Sequence, residues 1–179
     1  GTHLTLTPFV MKASVAALKK YPIFNSSLDE AGGEIVYKEY FHLGVAVDTE
    51  AGLIVPVLRD ADKKGMSALA VELNELVERT RARKVSLEEL QGGTFTISNQ
   101  GGIGGGHFTP IINKPEGAIL GLGRAAAKPV VKKAKIEARM MLPLCLSYDH
   151  RLIDGADAVR FMNELIQALE NFPEKELKG

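Results

Sequence analysis

A histidine at 150, an aspartate at 154 and a glycine at 155 carry the clearest chemical signal in this 179-residue sequence. They sit in Ser147-Tyr148-Asp149-His150-Arg151-Leu152-Ile153-Asp154-Gly155, after an apolar run over 140–146 and before a helical pattern over 156–169. The apolar run reads as a buried strand, so the histidine is delivered from a strand end into a short turn. Such a turn can hold an imidazole rigidly and leave one ring nitrogen free, which is what a general base requires. The same turn can equally hold a core histidine that only satisfies its own hydrogen bonds.

Other chemistry-bearing residues are more scattered. Ser98 ends an apolar run just before a glycine-rich loop, a place where a serine commonly bonds a local amide. Cys145 lies on an apolar strand pattern and reads as a buried, inert thiol rather than an acyl-carrying nucleophile. His42 reads as structural or exposed, and His107 lies within the glycine block. No pair of histidines, and no histidine–cysteine pair, has metal-ligand spacing. Two glycine clusters invite a nucleotide reading, which the residues reject. Residues 101–106 lack the Gly-Lys-Ser/Thr ending of a phosphate loop. Gly121-x-Gly123-x-x-Ala126 runs into Pro129, which opposes the helix a dinucleotide fingerprint needs. The glycines instead suit close approach of backbone to backbone, or to a long thin ligand.

The stretch SYDHRLIDG, with His150-x-x-x-Asp154-Gly155, resembles the active-site signature of the dihydrolipoamide acyltransferases, the core subunits of 2-oxo acid dehydrogenase complexes. The shorter His-x-x-x-Asp-Gly pattern is shared with chloramphenicol acetyltransferases. TFTISNQGGIGGGHFTP at 94–110 and PEGAILGLG at 115–123 make the resemblance specific, and it runs over about residues 4–169. It implies a chloramphenicol-acetyltransferase-like fold and transfer of an acyl group between a dihydrolipoyl thiol and coenzyme A. Acetyl is the expected group.

In that reading His150 is the general base and Ser98 donates a hydrogen bond to the oxyanion. Asp154 fixes the architecture around the histidine, through an ion pair with an arginine, rather than moving protons itself. Asp48 and Asn99 match positions lining the coenzyme A cleft of relatives, and Thr5 matches one where relatives can carry a serine. The implied partners are a separate lipoyl domain, further copies in a homotrimer with a site between neighbours, a 24- or 60-subunit core, and the decarboxylase and dihydrolipoamide dehydrogenase subunits. The implied location is the cytoplasm of a bacterium or archaeon, or the mitochondrial matrix of a eukaryote. The other readings are a stand-alone O-acetyltransferase of the chloramphenicol type and a non-catalytic scaffold of the same fold. The chain lacks a lipoyl domain and is expected to be one catalytic domain over 1–179, cut short at its N-terminal end; Gly1-Thr2-His3 reads as a tail or a cut end.

The elements that must position these residues follow from periodicity. Thr7-Pro8 opens a helix apolar almost all round, stopped at Tyr21-Pro22. Strands are expected over 23–28, 34–37, 41–47, 53–58, 94–98, 117–122 and 139–148, the last being the longest, with Pro56 marking an edge or bulge. Leu69, Leu73, Leu76 and Val77 recur at helical spacing over 67–83, and Ser86-x-x-Glu89 has capping-box spacing for a short second helix. Lys132, Lys133 and Lys135 read as a solvated turn. The sum is an α+β domain, a mixed β-sheet covered by helices.

Composition narrows the class further. Lys plus Arg and Asp plus Glu are 22 each, so no global field favours nucleic acid or a membrane surface. One cysteine excludes an internal disulfide, and no apolar run nears the roughly 20 residues a bilayer-spanning helix needs.

Overall fold

A computed structural model describes residues 4–174. Helix α1 (Leu6–Lys20) leads into strands β1 (Ser26–Asp29) and β2 (Glu34–Tyr37), an antiparallel pair set apart from the main sheet. Strands β3 (Leu43–Thr49), β4 (Gly52–Ile54) and β5 (Val57–Leu58) follow, then helix α2 (Met66–Arg81). Next come β6 (Phe95–Asn99), β7 (Ala118–Leu122), β8 (Ala126–Lys132), β9 (Lys135–Met141), β10 (Leu144–Tyr148) and helix α3 (Gly155–Glu170). The main sheet runs β10-β7-β6-β3-β4, with β5 also on β3. β3, β6 and β7 are parallel, whereas β4, β5 and β10 run against their neighbours.

Strand alternation divides this sheet into two chemically different faces. Leu43, Val45 and Val47 of β3 stand in register with Phe95 and Ile97 of β6 and with Leu120 and Leu122 of β7. These residues are buried against apolar residues of all three helices. Phe161 of α3 is the centre of that layer, stacked on Phe24 at 4.1 Å between centroids and tilted against Phe95 at 5.9 Å. The opposite face carries Gly44, Ala46, Thr96, Ser98, Ile119 and Gly121, and the irregular segment 108–113 crosses it: a Cβ at Gly121 would lie 2.8 Å from Phe108 Cζ.

Several sequence expectations shift. α1 starts at Leu6 with Thr5, not Thr7, at its N-cap, and Thr5 makes no side-chain capping bond. The strand expected over 23–28 is split: Pro22–Asn25 is a 3-10 turn, because Pro22 fixes a helical φ there, and pairing begins only at Ser26. Pro56 interrupts 53–58, leaving two short strands against β3. The capping box forms, Glu89 Oε2 accepting from Ser86 N at 2.9 Å, yet it caps only one 3-10 turn, Glu88–Leu90. The long strand over 139–148 is broken at Leu142-Pro143. Its first part belongs to a two-stranded ribbon in which β9 pairs with β8, and Lys133 and Ala134, both with positive φ, make the tight turn.

Candidate active site

His150 stands at the tip of a turn that is fixed on both sides. Behind it, Asp149 N donates to Gly117 O at 2.9 Å, and Asp149 O accepts from the amides of Leu152 and Ile153 at 3.0 Å each. Ahead of it, the fully buried Ile153 side chain anchors the turn in the core. The imidazole itself is exposed, its ring 5.7 Å from that of Tyr148. Arg151 straps the turn to the β1–β2 connection: its guanidinium donates to Asp149 Oδ2 at 2.6 Å and to Glu30 Oε1 at 3.0 Å. The Arg151 bonds hold the Asp149 carboxyl below its ordinary range, and Arg151 followed by Lys114 does the same for Glu30.

Asp154 is the N-cap of α3. Its Oδ1 accepts from Ala156 N at 2.9 Å and Asp157 N at 3.0 Å, and these amides, that of Asp157 first, pull its carboxyl below the usual aspartate range. The expected arginine ion pair is absent among the described residues: Arg160 pairs with Asp157 instead. A helix N-terminus supplies the stabilising dipole and amides that the ion pair was invoked to supply.

Ser98, the penultimate residue of β6, lies on the face opposite the helices, buried at 8% exposure. Its side chain lines a cavity of about 380 Å³ together with Ala46, Thr96, Phe108, Pro110 and Ile111. Asn99, the next residue, faces the other way. Its amide donates to Thr7 Oγ1 at 3.1 Å and its oxygen accepts from Gly101 N at 3.0 Å, tying the strand end to the first turn of α1. Asp48, two residues past the Ala46–Ser98 register pair, is exposed at the same sheet end, and Thr5 is exposed at the start of α1, two residues before the Thr7 that Asn99 holds. Four expected site residues therefore gather at one end of the sheet: Thr5, Asp48, Ser98 and Asn99.

His150 does not join them. Tyr148 is level with Ala118 on β7, whereas Ser98 is level with Gly121. Since β10 runs against β7, the chain moves away from Ser98 as it approaches His150. Even at Tyr148 the offset is roughly 10 Å along the strands and about 10 Å across two strand spacings, and His150 is farther still. No rotamer of histidine and serine spans that gap, so one chain does not bring the two together.

His42 and the thiol take structural places. His42 Nδ1 accepts from Asp60 N at 3.1 Å and its ring packs on Tyr40, so burial pushes its pKa below the ordinary value. His107 is exposed, and His3 lies outside the described residues. Cys145 is half-buried rather than buried, because β10 is the edge strand of the sheet and all its residues are only partly covered. Two features escaped the sequence: the Asp149–Arg151–Glu30 strap, signalled only by the charges flanking His150, and the buried Glu116, whose place among Pro115, Gly117 and an apolar run was its one visible mark. Among the described residues no group of acids, histidines and cysteine could hold a metal ion, and no helix is long and apolar enough to cross a membrane.

Residues 1–177 match the family model for 2-oxoacid dehydrogenases acyltransferase (catalytic domain). The sequence is 51% identical over 171 residues to the dihydrolipoyllysine-residue acetyltransferase component of the pyruvate dehydrogenase complex of Staphylococcus epidermidis, covering 96% of this chain and 40% of that protein. It thus spans about two fifths of the length of the curated relatives it matches. The structure superposes on the cubic core of the pyruvate dehydrogenase multienzyme complex with a TM-score of 0.91 and 48% identity, covering 94% of this chain and 70% of that one. A chloramphenicol acetyltransferase matches with a TM-score of 0.61 at 14% identity over 92% of this chain and 78% of its own, a likeness of fold alone.

Proposed function

The chain belongs to the family of 2-oxoacid dehydrogenase acyltransferase catalytic domains, and from that premise we propose that it moves an acetyl group between a dihydrolipoyl thiol and coenzyme A at a site shared by two copies. The observation that carries the shared site is the placement of His150 and Ser98 at opposite ends of one sheet. A histidine and a serine that act on one thioester must then come from different copies, as a closed ring of identical subunits provides.

The division of labour follows from each residue's setting. Exposed His150, held at the tip of a doubly anchored turn, takes the proton of the attacking thiol and later returns it to the departing one. Ser98, fixed at a strand end in an apolar-walled cavity, donates its hydroxyl hydrogen to the oxygen that gains charge when the thiolate adds to the carbonyl. Thiol–thioester exchange is nearly balanced, so positioning and proton removal are the whole catalytic task, and no acyl-enzyme on Cys145 is required. Asp48, Asn99 and Thr5, gathered at the Ser98 end, are the residues assigned to coenzyme A. The lipoyl group comes from a separate domain, and the assembly is a homotrimer or a larger core built from trimers, joined by the decarboxylase and dihydrolipoamide dehydrogenase.

Initial rates with acetyl-, succinyl- and isobutyryl-coenzyme A as donors to dihydrolipoamide test the reading. Acetyl-coenzyme A is expected to give the highest kcat/KM. A preference for succinyl or isobutyryl overturns the acetyl assignment, and transfer to chloramphenicol but not to dihydrolipoamide overturns the acceptor.

A further inference from the structure

Glu116 is the one deeply buried carboxyl among the described residues, at 5% exposure. Its Oε1 accepts two hydrogen bonds, from Thr96 Oγ1 at 2.9 Å and from Asn113 Nδ2 at 3.2 Å, while Oε2 is buried with no partner. The backbone has made room for it. A Cβ at Gly93 would lie 2.7 Å from Glu116 Oε1, and one at Gly44, the register partner of Thr96, would overlap the Thr96 hydroxyl. Both partners of the carboxyl belong to the Ser98 cavity: Thr96 is two residues before Ser98 on the same strand face, and Asn113 ends the segment 108–113 that closes the cavity.

We infer that Glu116 is a positioning residue for Ser98, tying the strand face that presents the serine to the segment that walls its cavity. The inference rests on the functional reading given above. Below about pH 7 the carboxyl does this as a neutral acid. Burial pushes its pKa up to about 7, against the smaller opposing effects of Thr96 and Asn113. Of the charged groups around it, Lys114, Asp149, Arg151 and Glu30 line the cleft on its other side and are paired with one another, and Asp29 there binds the amide of Ala31; Arg59, against Gly92 on the Gly93 side, donates to the carbonyls of Glu88 and Gln91.

Neutrality matters for the chemistry as well as for burial. Thr96 and Ser98 are about 7 Å apart along the strand, so the carboxyl lies within roughly 10 Å of the Ser98 hydroxyl. A negative charge at that range opposes the oxyanion that Ser98 stabilises by about five- to ten-fold in rate. Ionisation of Glu116 therefore lowers kcat as pH rises through its pKa.

The test compares wild type, Glu116→Gln and Glu116→Ala as assembled protein, in acetyl transfer to dihydrolipoamide from about pH 6 to 9. Crystal structures of wild type and Glu116→Ala accompany it. The Gln variant keeps the shape and one donor without a charge, so its kcat should match wild type within about two-fold at pH 6. By about pH 9, where the carboxyl is almost fully ionised, wild type should fall about five- to ten-fold below it in kcat, with KM unchanged. The Ala variant should lose kcat at every pH, and its segment 108–113 should move relative to Ser98. A Gln profile that overlays wild type from pH 6 to 9, or an Ala variant with wild-type kcat, overturns the inference. Should the Ala variant not fold, the Gln profile decides alone. Absence of acetyl transfer by wild type at any pH would instead refute the functional reading. The structures then judge Glu116: an unmoved Ser98 cavity in the Ala variant sinks the inference, and a displaced one upholds it.

Discussion

A histidine with no buried hydrogen bond of its own is cheap to remove, which makes His150 unusually clean to test. Its exposed ring is tilted against that of Tyr148, and the turn is held by Asp149, Arg151 and Ile153 instead. His150→Ala should therefore leave the melting temperature nearly unchanged while lowering acetyl transfer about 10²–10⁴-fold, the usual loss for a general base. Near-normal transfer by the folded variant would remove His150 from the chemistry. Asp154 behaves oppositely. Its carboxyl caps α3, and asparagine caps as well as aspartate whereas alanine does not. Asp154→Ala should lower the melting temperature by roughly 2–4 °C and Asp154→Asn by much less. Because the capping amides depress its pKa, the aspartate's contribution is present at neutral pH and lost as pH falls below the ordinary aspartate range. A large rate loss in Asp154→Asn at unchanged melting temperature would give the carboxylate a direct electrostatic part in His150's work.

At the scale of elements, the glycine-rich loop after Ser98 is held by backbone contact with the β7 exit. Gln100 N donates to Leu122 O at 3.0 Å and Arg124 N to Gly105 O at 2.6 Å, and a Cβ on Gly123 would overlap the Gly106 carbonyl. Gly123→Ala should thus cost about 1–3 kcal/mol by forcing the two segments apart, and should lower kcat because the displaced loop begins two residues beyond Ser98. Wild-type stability and kcat in that variant would show that the contact has slack. This contact was half legible in the sequence. Two glycine clusters without a phosphate-binding ending pointed to close backbone approach, but nothing in them named each other as partners. The helices with clear periodicity emerged close to their true bounds, α2 and α3 among them. The β8–β9 ribbon did not, because both its faces are largely exposed and solvated strands carry no apolar alternation; its lysines were indistinguishable from those of a loop. Asp154's cap was readable from an acid before a helical pattern, yet the resemblance directed attention to an arginine instead. Glu116 stayed hidden because burial of a carboxyl leaves no periodic trace.

The molecule as a whole keeps its two chemical ends apart, and that separation makes a sharp demand on the assembly. His150→Ala and Ser98→Ala homo-oligomers should each be nearly inactive. If both residues of a working site came from one chain, mixing the variants could never pair an intact histidine with an intact serine. Activity would stay at the parental mean. If the histidine comes from one subunit and the serine from its neighbour, random mixing in a closed cyclic trimer gives both native residues at about one quarter of interfaces. The variants are to be unfolded together, refolded at equal ratio and checked by mass for mixed trimers, with wild type carried through the same cycle as the reference. Activity should rise to about one quarter of the refolded wild type. The sheet register favours this outcome, since roughly 10 Å along the strands and as much across them already separate Tyr148 from Ser98 within a chain. Exposed apolar residues such as Ile35, Val36 and Tyr37 on β2, beside the turn that Arg151 straps, supply surface for a neighbour to cover near His150. A flat result from verified mixed trimers would place the histidine and serine in separate tasks and require a different oxyanion donor near His150.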